Sequence, residues 1–166
     1  MIEIGEKAAD IELPDQDGNL FTLLQAGKRR VLLSFYPLAW TGRSSLQLKA
    51  LEENWEVLLS LNTIPVAISV DAVPSIRAWK GDLGLQNLRI LSDFWPHGKA
   101  AMAYGIFRGK DGFSERANIV IDEKREVIFT RVYSIESTPD LDEVKAILGA
   151  KSVEEGEAGP SEAPVG

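Results

Sequence analysis

The chain has 166 residues, 45% of them hydrophobic, and a net charge of −7, which leaves room for one domain with one sizeable core. The negative charge argues against a nucleic-acid partner, because phosphate binding draws on lysine and arginine, and no apolar run approaches the roughly 18 residues of a membrane span. The absence of cysteine excludes a disulfide scaffold, a thiolate metal site and a cysteine nucleophile.

Near the N-terminus, the Asp-Gln-Asp-Gly sequence at residues 15–18 predicts a turn between the segments 10–13 and 20–24. The first residues lack the basic-then-apolar order of a signal peptide, so a cytoplasmic location is the default expectation. The basic run of Lys28, Arg29 and Arg30 comes just before an apolar strand. We expect it to be solvated at the end of a loop.

Short apolar runs rich in β-branched and aromatic residues predict central strands that are covered on both faces. The runs occupy residues 31–36, 65–70, 117–121 and 127–132. The polar segment 122–126 predicts a hairpin between the last two runs, and a shorter run at 88–91 predicts a fifth strand.

Helical patterns alternate with these strands. Apolar residues at steps of three and four predict a helix over residues 44–60, and further helices are predicted over 74–80, 98–104 and 141–148, the last closing at Gly149. This order predicts an α/β sandwich with a central mixed sheet flanked by helices, and it resembles the thioredoxin-like fold. Residues 1–150 form the predicted domain, and the acidic, Gly- and Pro-containing residues 151–166 predict a disordered tail.

One strand–loop–helix junction carries the candidate chemistry. A strand ends at Tyr36, a loop with proline and glycine follows, and a helix begins near Ser44. Such a junction exposes backbone N–H groups and the positive end of the helix dipole, which favour an anion. Read without further context, residues 44–47 fit a capping box with Ser44 as the N-cap, Thr41 fits a turn residue bonded to local backbone, and Arg116 fits a surface charge at a strand edge.

The same loop resembles the active-site loop of the peroxiredoxin family, which has a proline, then a threonine, then two residues, then the peroxide-attacking cysteine. Pro37 and Thr41 match this motif, and Ser44 stands at the cysteine position. Segments 5–14, 91–98 and 114–117 extend the resemblance, the second of them to the one-cysteine bacterial branch called AhpE-like. The register runs from about residue 4 to residue 148.

The resemblance implies a thiol peroxidase that acts on hydrogen peroxide or small organic hydroperoxides, is restored by an external thiol, uses no cofactor or metal, and forms a homodimer. In this family Thr41 would bond the thiolate and the peroxide, Arg116 would lower the thiol pKa and stabilise the departing oxygen, and Pro37 would shield the sulfur from water. Two residues depart from the family pattern. Arg43 replaces a small apolar residue, and Gln47 replaces a glutamate.

Serine at position 44 breaks this chemistry. A thiol has an ordinary pKa near ~8.5, whereas a serine hydroxyl is a far weaker acid, and no neighbouring base is evident to activate it. We therefore expect the chain as written to be inactive. Two origins stay open, an engineered Cys-to-Ser change in an active enzyme and a natural, non-catalytic thioredoxin-fold protein that keeps the scaffold for interaction.

His97 is the only histidine, and one histidine provides no metal-ligand set. A hydrolase triad of Ser44, His97 and Asp93 is conceivable. However, the Gly-x-Ser-x-Gly pattern of a nucleophile elbow is absent around the serine, which disfavours that reading.

Three aromatic residues, Trp40, Phe94 and Trp95, lie in predicted loops. Exposed aromatic side chains often mark an interface, and in the family that the loop resembles their counterparts lie near a dimer contact. The alternative is that they fold inward over the core of the monomer.

Overall fold

The computed structural model describes residues 1–157. Within that range the strands, in chain order, are β1 (Glu12–Pro14), β2 (Leu20–Thr22), β3 (Arg30–Phe35), β4 (Thr63–Ser69), β5 (Arg89–Ser92), β6 (Phe107–Arg108), β7 (Phe113–Ser114), β8 (Arg116–Ile121) and β9 (Val127–Tyr133). The helices are α1 (Gly42–Glu53), α2 (Trp55–Ser60), α3 (Val73–Leu83), α4 (Lys99–Ala103) and α5 (Leu141–Glu157), and a 3-10 turn occupies Leu23–Ala26.

Five strands form the central sheet in the order β5-β4-β3-β8-β9. The β3–β4 and β4–β5 pairs are parallel, and the β3–β8 and β8–β9 pairs are antiparallel. All residues of β3 and β8 are buried, because apolar clusters cover both faces of the sheet. The predicted mixed sheet flanked by helices is therefore confirmed, and its continuous apolar runs are the signal that found it.

The predicted helix over residues 44–60 is two helices, α1 and α2, which Asn54 separates. The side-chain amide nitrogen of Asn54, Nδ2, donates to the Ala50 carbonyl oxygen at 2.8 Å. This bond gives a partner to a carbonyl group at the C-terminal end of α1. Asparagine favours such local bonds to the backbone over helix continuation. The single buried stripe that the sequence predicts is therefore divided between two helix axes.

The helix α5 continues through Gly149 to Glu157, so the predicted end at Gly149 and the predicted disorder of residues 151–157 are wrong. The last turns are held by tertiary contacts with Arg30. The Glu155 carboxylate accepts from Arg30 Nη2 at 2.6 Å, and the Ser152 hydroxyl accepts from Arg30 Nη1 at 3.3 Å. The rest of the predicted tail, residues 158–166, lies outside the described residues.

The expected solvation of the Lys28–Arg29–Arg30 run is wrong for its third member. Arg30 is only 1% exposed. Its guanidinium lies between the carboxylates of Glu123 and Glu155, with N–O distances of 3.2 and 2.6 Å. In the part of the chain that the structure describes, no helix combines the length and apolarity needed to cross a membrane.

Candidate active site

The start of α1 places Ser44 in the interior. Thr41 is the N-cap residue, and the Ser45 N–H makes the first backbone bond of the helix, to the Thr41 carbonyl at 2.9 Å. The N–H groups of Gly42, Arg43 and Ser44 precede that bond and have no acceptor within the helix. Ser44 is thus the third helical residue rather than the cap, and the capping-box interpretation is wrong.

The Ser44 side chain is fully buried and contacts a buried arginine. Arg116 Nη1 donates to Ser44 Oγ at 3.2 Å, although 72 residues separate the two along the chain. Arg116 is the first residue of β8, which lies antiparallel to β3 and therefore begins beside the end of β3, from which the active-site loop departs. The sheet topology thus brings the two predicted site residues together.

The guanidinium of Arg116 is held at a second edge by the backbone. Its Nε and Nη2 donate to the Ile135 carbonyl at 3.2 and 2.9 Å, from the segment that follows β9. Burial lowers the pKa of Arg116; Glu136 opposes this effect, and the neighbouring charge of Arg43 adds to it. An arginine nevertheless stays protonated at neutral pH, so a full positive charge lies beside Ser44.

Gln47 completes the contacts of Arg116 on the side of α1. Its Oε1 accepts from Arg116 Nη1 at 2.7 Å, and its Nε2 donates to the Phe35 carbonyl at 3.1 Å. A neutral amide therefore occupies the place where a carboxylate would neutralise the arginine. The sequence marks position 47 as a departure from the family pattern but does not reveal this contact.

The structure places Pro37 and Thr41 in the loop before α1. Pro37 is buried, whereas Thr41 is exposed. The Thr41 hydroxyl donates to the Leu38 carbonyl at 2.9 Å, which is the bond to local backbone expected of a turn residue. Its proton is thereby committed, and its oxygen lone pairs remain free to accept a hydrogen bond.

Asp71, which follows β4, fixes the same loop and is absent from the sequence predictions. Its Oδ2 accepts from the Ala39 N–H at 2.8 Å and from the Ser69 hydroxyl at 2.6 Å. Polar residues at the carboxyl ends of parallel strands commonly line sites in α/β proteins. The Ser-Val-Asp sequence at the end of β4 is the signal that could have found this residue.

The hydrolase triad does not assemble. His97 Nε2 lies 2.7 Å from the Gly112 carbonyl, and its ring packs edge-on against Phe94 and Phe107. The Asp93 carboxylate accepts the N–H groups at the start of α4. Both side chains are therefore bonded to backbone groups of nearby segments, and neither is bonded to Ser44.

A profile of the AhpC/TSA family matches residues 4–130, which is most of the chain. The chain belongs to this family of peroxiredoxins. It is 35% identical over 133 residues to the alkyl hydroperoxide reductase E of Mycobacterium tuberculosis, covering 80% of this chain and 86% of that protein. It is 31% identical over 154 residues to the thiol peroxidase of Streptococcus sanguinis, covering 92% and 91% of the two chains.

Solved structures show the same fold. The peroxidoxin BcpB of Mycobacterium tuberculosis superposes with a TM-score of 0.79 at 27% identity, over 90% of this chain and 98% of that one. The AhpC of Enterococcus faecalis superposes with a TM-score of 0.85 at 20% identity, over 99% and 100%. The predicted thioredoxin-like fold is confirmed.

The family consists of thiol peroxidases, and this chain contains no cysteine. The thiolate is the nucleophile in thiol chemistry. The chain as written therefore has the scaffold of a peroxiredoxin without the sulfur on which the reaction depends.

Proposed function

We propose that Ser44 occupies the position of the peroxide-attacking cysteine, in an inactive serine form of an AhpE-like thiol peroxidase that reduces hydrogen peroxide or small organic hydroperoxides. The observation that carries the proposal is the 3.2 Å contact between Arg116 Nη1 and the buried Ser44 Oγ at the start of α1. An arginine within hydrogen-bond distance and a helix N-terminus both stabilise a negative charge at this atom.

A cysteine at position 44 would react as follows. Its thiolate attacks the terminal oxygen of the hydroperoxide, an S–O bond forms and the O–O bond breaks. The sulfur is oxidised to a sulfenic acid, the peroxide is reduced, and the departing oxygen takes a proton to leave as water or an alcohol. An external thiol then reduces the sulfenic acid, which fits a reducing compartment such as the cytoplasm.

The neighbouring groups support distinct parts of this reaction. Arg116 stabilises first the thiolate and then the negative charge on the departing oxygen. The free N–H groups of Arg43 and Ser44 point along the helix axis toward the same region. Thr41 offers oxygen lone pairs to the O–H of a hydroperoxide, and Pro37, which is buried, excludes water.

The test restores the sulfur. Ser44→Cys protein, mixed with stoichiometric hydrogen peroxide, is expected to consume it within seconds and to gain the mass of one oxygen. Ser45→Cys is the matched control, because that side chain is one residue further along α1 and bonds to the Gly42 carbonyl at 2.7 Å rather than to Arg116. A thiol there is expected to react as slowly as an ordinary cysteine.

A folded Ser44→Cys protein that consumes peroxide no faster than the Ser45→Cys control would overturn the proposal. That outcome would favour the alternative, a natural non-catalytic protein that keeps the fold for interaction. The mass of the protein purified from its source separates the two origins of the serine, because cysteine and serine differ by the mass difference between sulfur and oxygen.

We further propose that the protein forms a homodimer through exposed aromatic residues of the loops that follow β3 and β5. Trp95, Trp40 and Phe94 are 80, 54 and 49% exposed. Large aromatic side chains are enriched at interfaces, and solvent exposure of this extent leaves apolar surface for a second copy to cover. Trp95→Arg is expected to shift sedimentation to a monomer, whereas Leu24→Arg, at a Leu that is also exposed, is expected to leave the dimer intact. A wild-type monomer at micromolar concentration would contradict this proposal.

A further inference from the structure

A chain of buried polar side chains extends from Arg116 into the sheet. Gln47 Nε2 donates to Ser34 Oγ at 2.8 Å, and Ser34 Oγ donates to Asn118 Oδ1 at 2.7 Å. Ser34 lies on β3 and Asn118 on β8, where the two residues are direct partners in the strand register. Both are fully buried among apolar strand residues.

The hydrogen-bond directions along this chain are fixed by groups that can act in only one way. The Phe35 carbonyl can only accept, so the amide nitrogen of Gln47 must face it, and the amide oxygen must face Arg116. The single proton of the Ser34 hydroxyl goes to Asn118 Oδ1. The Ser34 oxygen is therefore left to accept from Gln47.

Asn118 also contacts the next strand of the sheet. Its side-chain amide neighbours Tyr133 on β9; burial raises the pKa of the Tyr133 phenol, and the hydrogen bond with Asn118 opposes that shift. The oxygen of the same amide accepts the proton of Ser34 at 2.7 Å. Asn118 therefore fixes the direction of the Ser34 hydroxyl.

We propose that Ser34 and Asn118 are positioning residues, which orient the Gln47 amide and through it hold the Arg116 guanidinium against the side chain of residue 44. The proposal rests on the proposed function, in which residue 44 is the peroxide-attacking position. Without the Gln47 acceptor, the Ile135 carbonyl would hold Arg116 from the opposite edge of its guanidinium, and the 3.2 Å contact with residue 44 itself would be the remaining bond on the side of α1. The guanidinium could then turn away from residue 44.

The test measures the apparent pKa of the thiol in Ser44→Cys protein, from the pH dependence of its alkylation by iodoacetamide. Adding Ser34→Ala or Asn118→Leu is expected to raise that pKa by about 0.5 to 1, a substantial part of the ~1 to 3 that loss of an adjacent opposite charge produces. Ser34→Thr, which keeps the hydroxyl, is expected to restore the parent pKa. Thr63→Val is the matched control, because it removes a buried hydroxyl from the same sheet, at the start of β4, where it bonds to the Leu61 carbonyl at 3.0 Å.

The outcomes separate this proposal from the proposed function. A thiol pKa that Arg116→Met raises but Ser34→Ala leaves unchanged would overturn the positioning role. A pKa that responds to Ser34→Ala in a protein that fails to reduce peroxide would uphold the positioning role and sink the proposed function. Should Asn118→Leu fail to fold, Ser34→Ala decides, since it removes a single oxygen. If Ser34→Ala protein also fails to fold, the hydrogen-bonded side chains serve the stability of the fold, and the proposal is overturned.

Discussion

Two arginines are almost completely buried, at opposite ends of the same antiparallel strand pair. Arg30 begins β3 and is 1% exposed, and Arg116 begins β8 and is 2% exposed. Arg30 meets two carboxylates, those of Glu123 and Glu155, at 3.2 and 2.6 Å. Arg116 instead meets a carbonyl, an amide oxygen and a hydroxyl.

The difference separates an arginine that is paired with carboxylates from an arginine whose hydrogen-bond partners are neutral. Two carboxylates more than neutralise Arg30, and they connect β3 to the hairpin turn and to the end of α5. The partners that bond Arg116 directly are neutral and satisfy its N–H groups, and the carboxylate of Glu136 acts on its charge without a direct ion pair. That charge is then directed at residue 44, where low solvent exposure strengthens its effect.

The largest expected effect comes from removing the compensated arginine. Arg30→Met leaves Glu123 and Glu155 together without a cation, and we expect it to lower the free energy of unfolding by about 2–3 kcal/mol. This is below the ~3–5 kcal/mol typical of fully buried pairs, because both carboxylates reach water. Urea unfolding measures the loss.

Arg131→Met is the control for Arg30→Met. The ion pair of Arg131 with Glu143 is 3.1 Å long but exposed at both side chains, so its loss is expected to change stability by less than about 1 kcal/mol. If both variants lose the same free energy of unfolding, burial of Arg30 does not make its ion pairs stronger than the exposed pair of Arg131.

Gln47→Glu makes the environment of Arg116 resemble that of Arg30. A carboxylate at the position of Gln47 Oε1, 2.7 Å from Nη1, would neutralise much of the guanidinium charge. In Ser44→Cys protein we expect this change to raise the apparent thiol pKa by about 1, or roughly 1.4 kcal/mol. Gln86→Glu, which adds the same charge at an exposed position, is expected to leave that pKa within about 0.2. A thiol pKa that Gln47→Glu does not raise would contradict the account.

Glu123→Gln gives the smallest expected effect, and it appears as a pH dependence. Burial raises the pKa of Glu123 above its ordinary 4.5, Arg30 opposes that shift and Glu155 adds to it. The folded protein then binds more protons than the unfolded chain from about pH 4.5 upward, until the raised pKa is passed, so stability falls as pH rises through that window. Glu123→Gln is expected to remove a decline of less than about 1 kcal/mol. Urea unfolding between pH 4 and pH 8 measures it, and equal slopes for both proteins would refute the assignment.

The sheet could be predicted because its strands are continuous apolar runs. The run predicted at 127–132 became Val127–Tyr133, and the run predicted at 31–36 became Arg30–Phe35. The end of α5 could not be predicted in this way. Its last turns depend on the contact of Glu155 with Arg30, which lies 125 residues away along the chain.

The site residues likewise fall into those that the sequence predicted and those that it did not. The family resemblance pointed to Ser44 and Arg116, and the strand register brings them within hydrogen-bond distance. Ser34 and Asn118 looked like ordinary strand residues, because their polar character matters only once β3, β8 and α1 pack together. Long-range polar contacts of this kind leave no periodic signal in a single sequence.

The most direct measurement is the thiol pKa of Ser44→Cys protein with and without Arg116→Met. We expect a thiol pKa well below the ordinary ~8.5 in the presence of the arginine, and a rise in that pKa of about 1 to 3 once the arginine is lost. A thiol that titrates near ~8.5 in both proteins would mean that Arg116 does not act on residue 44.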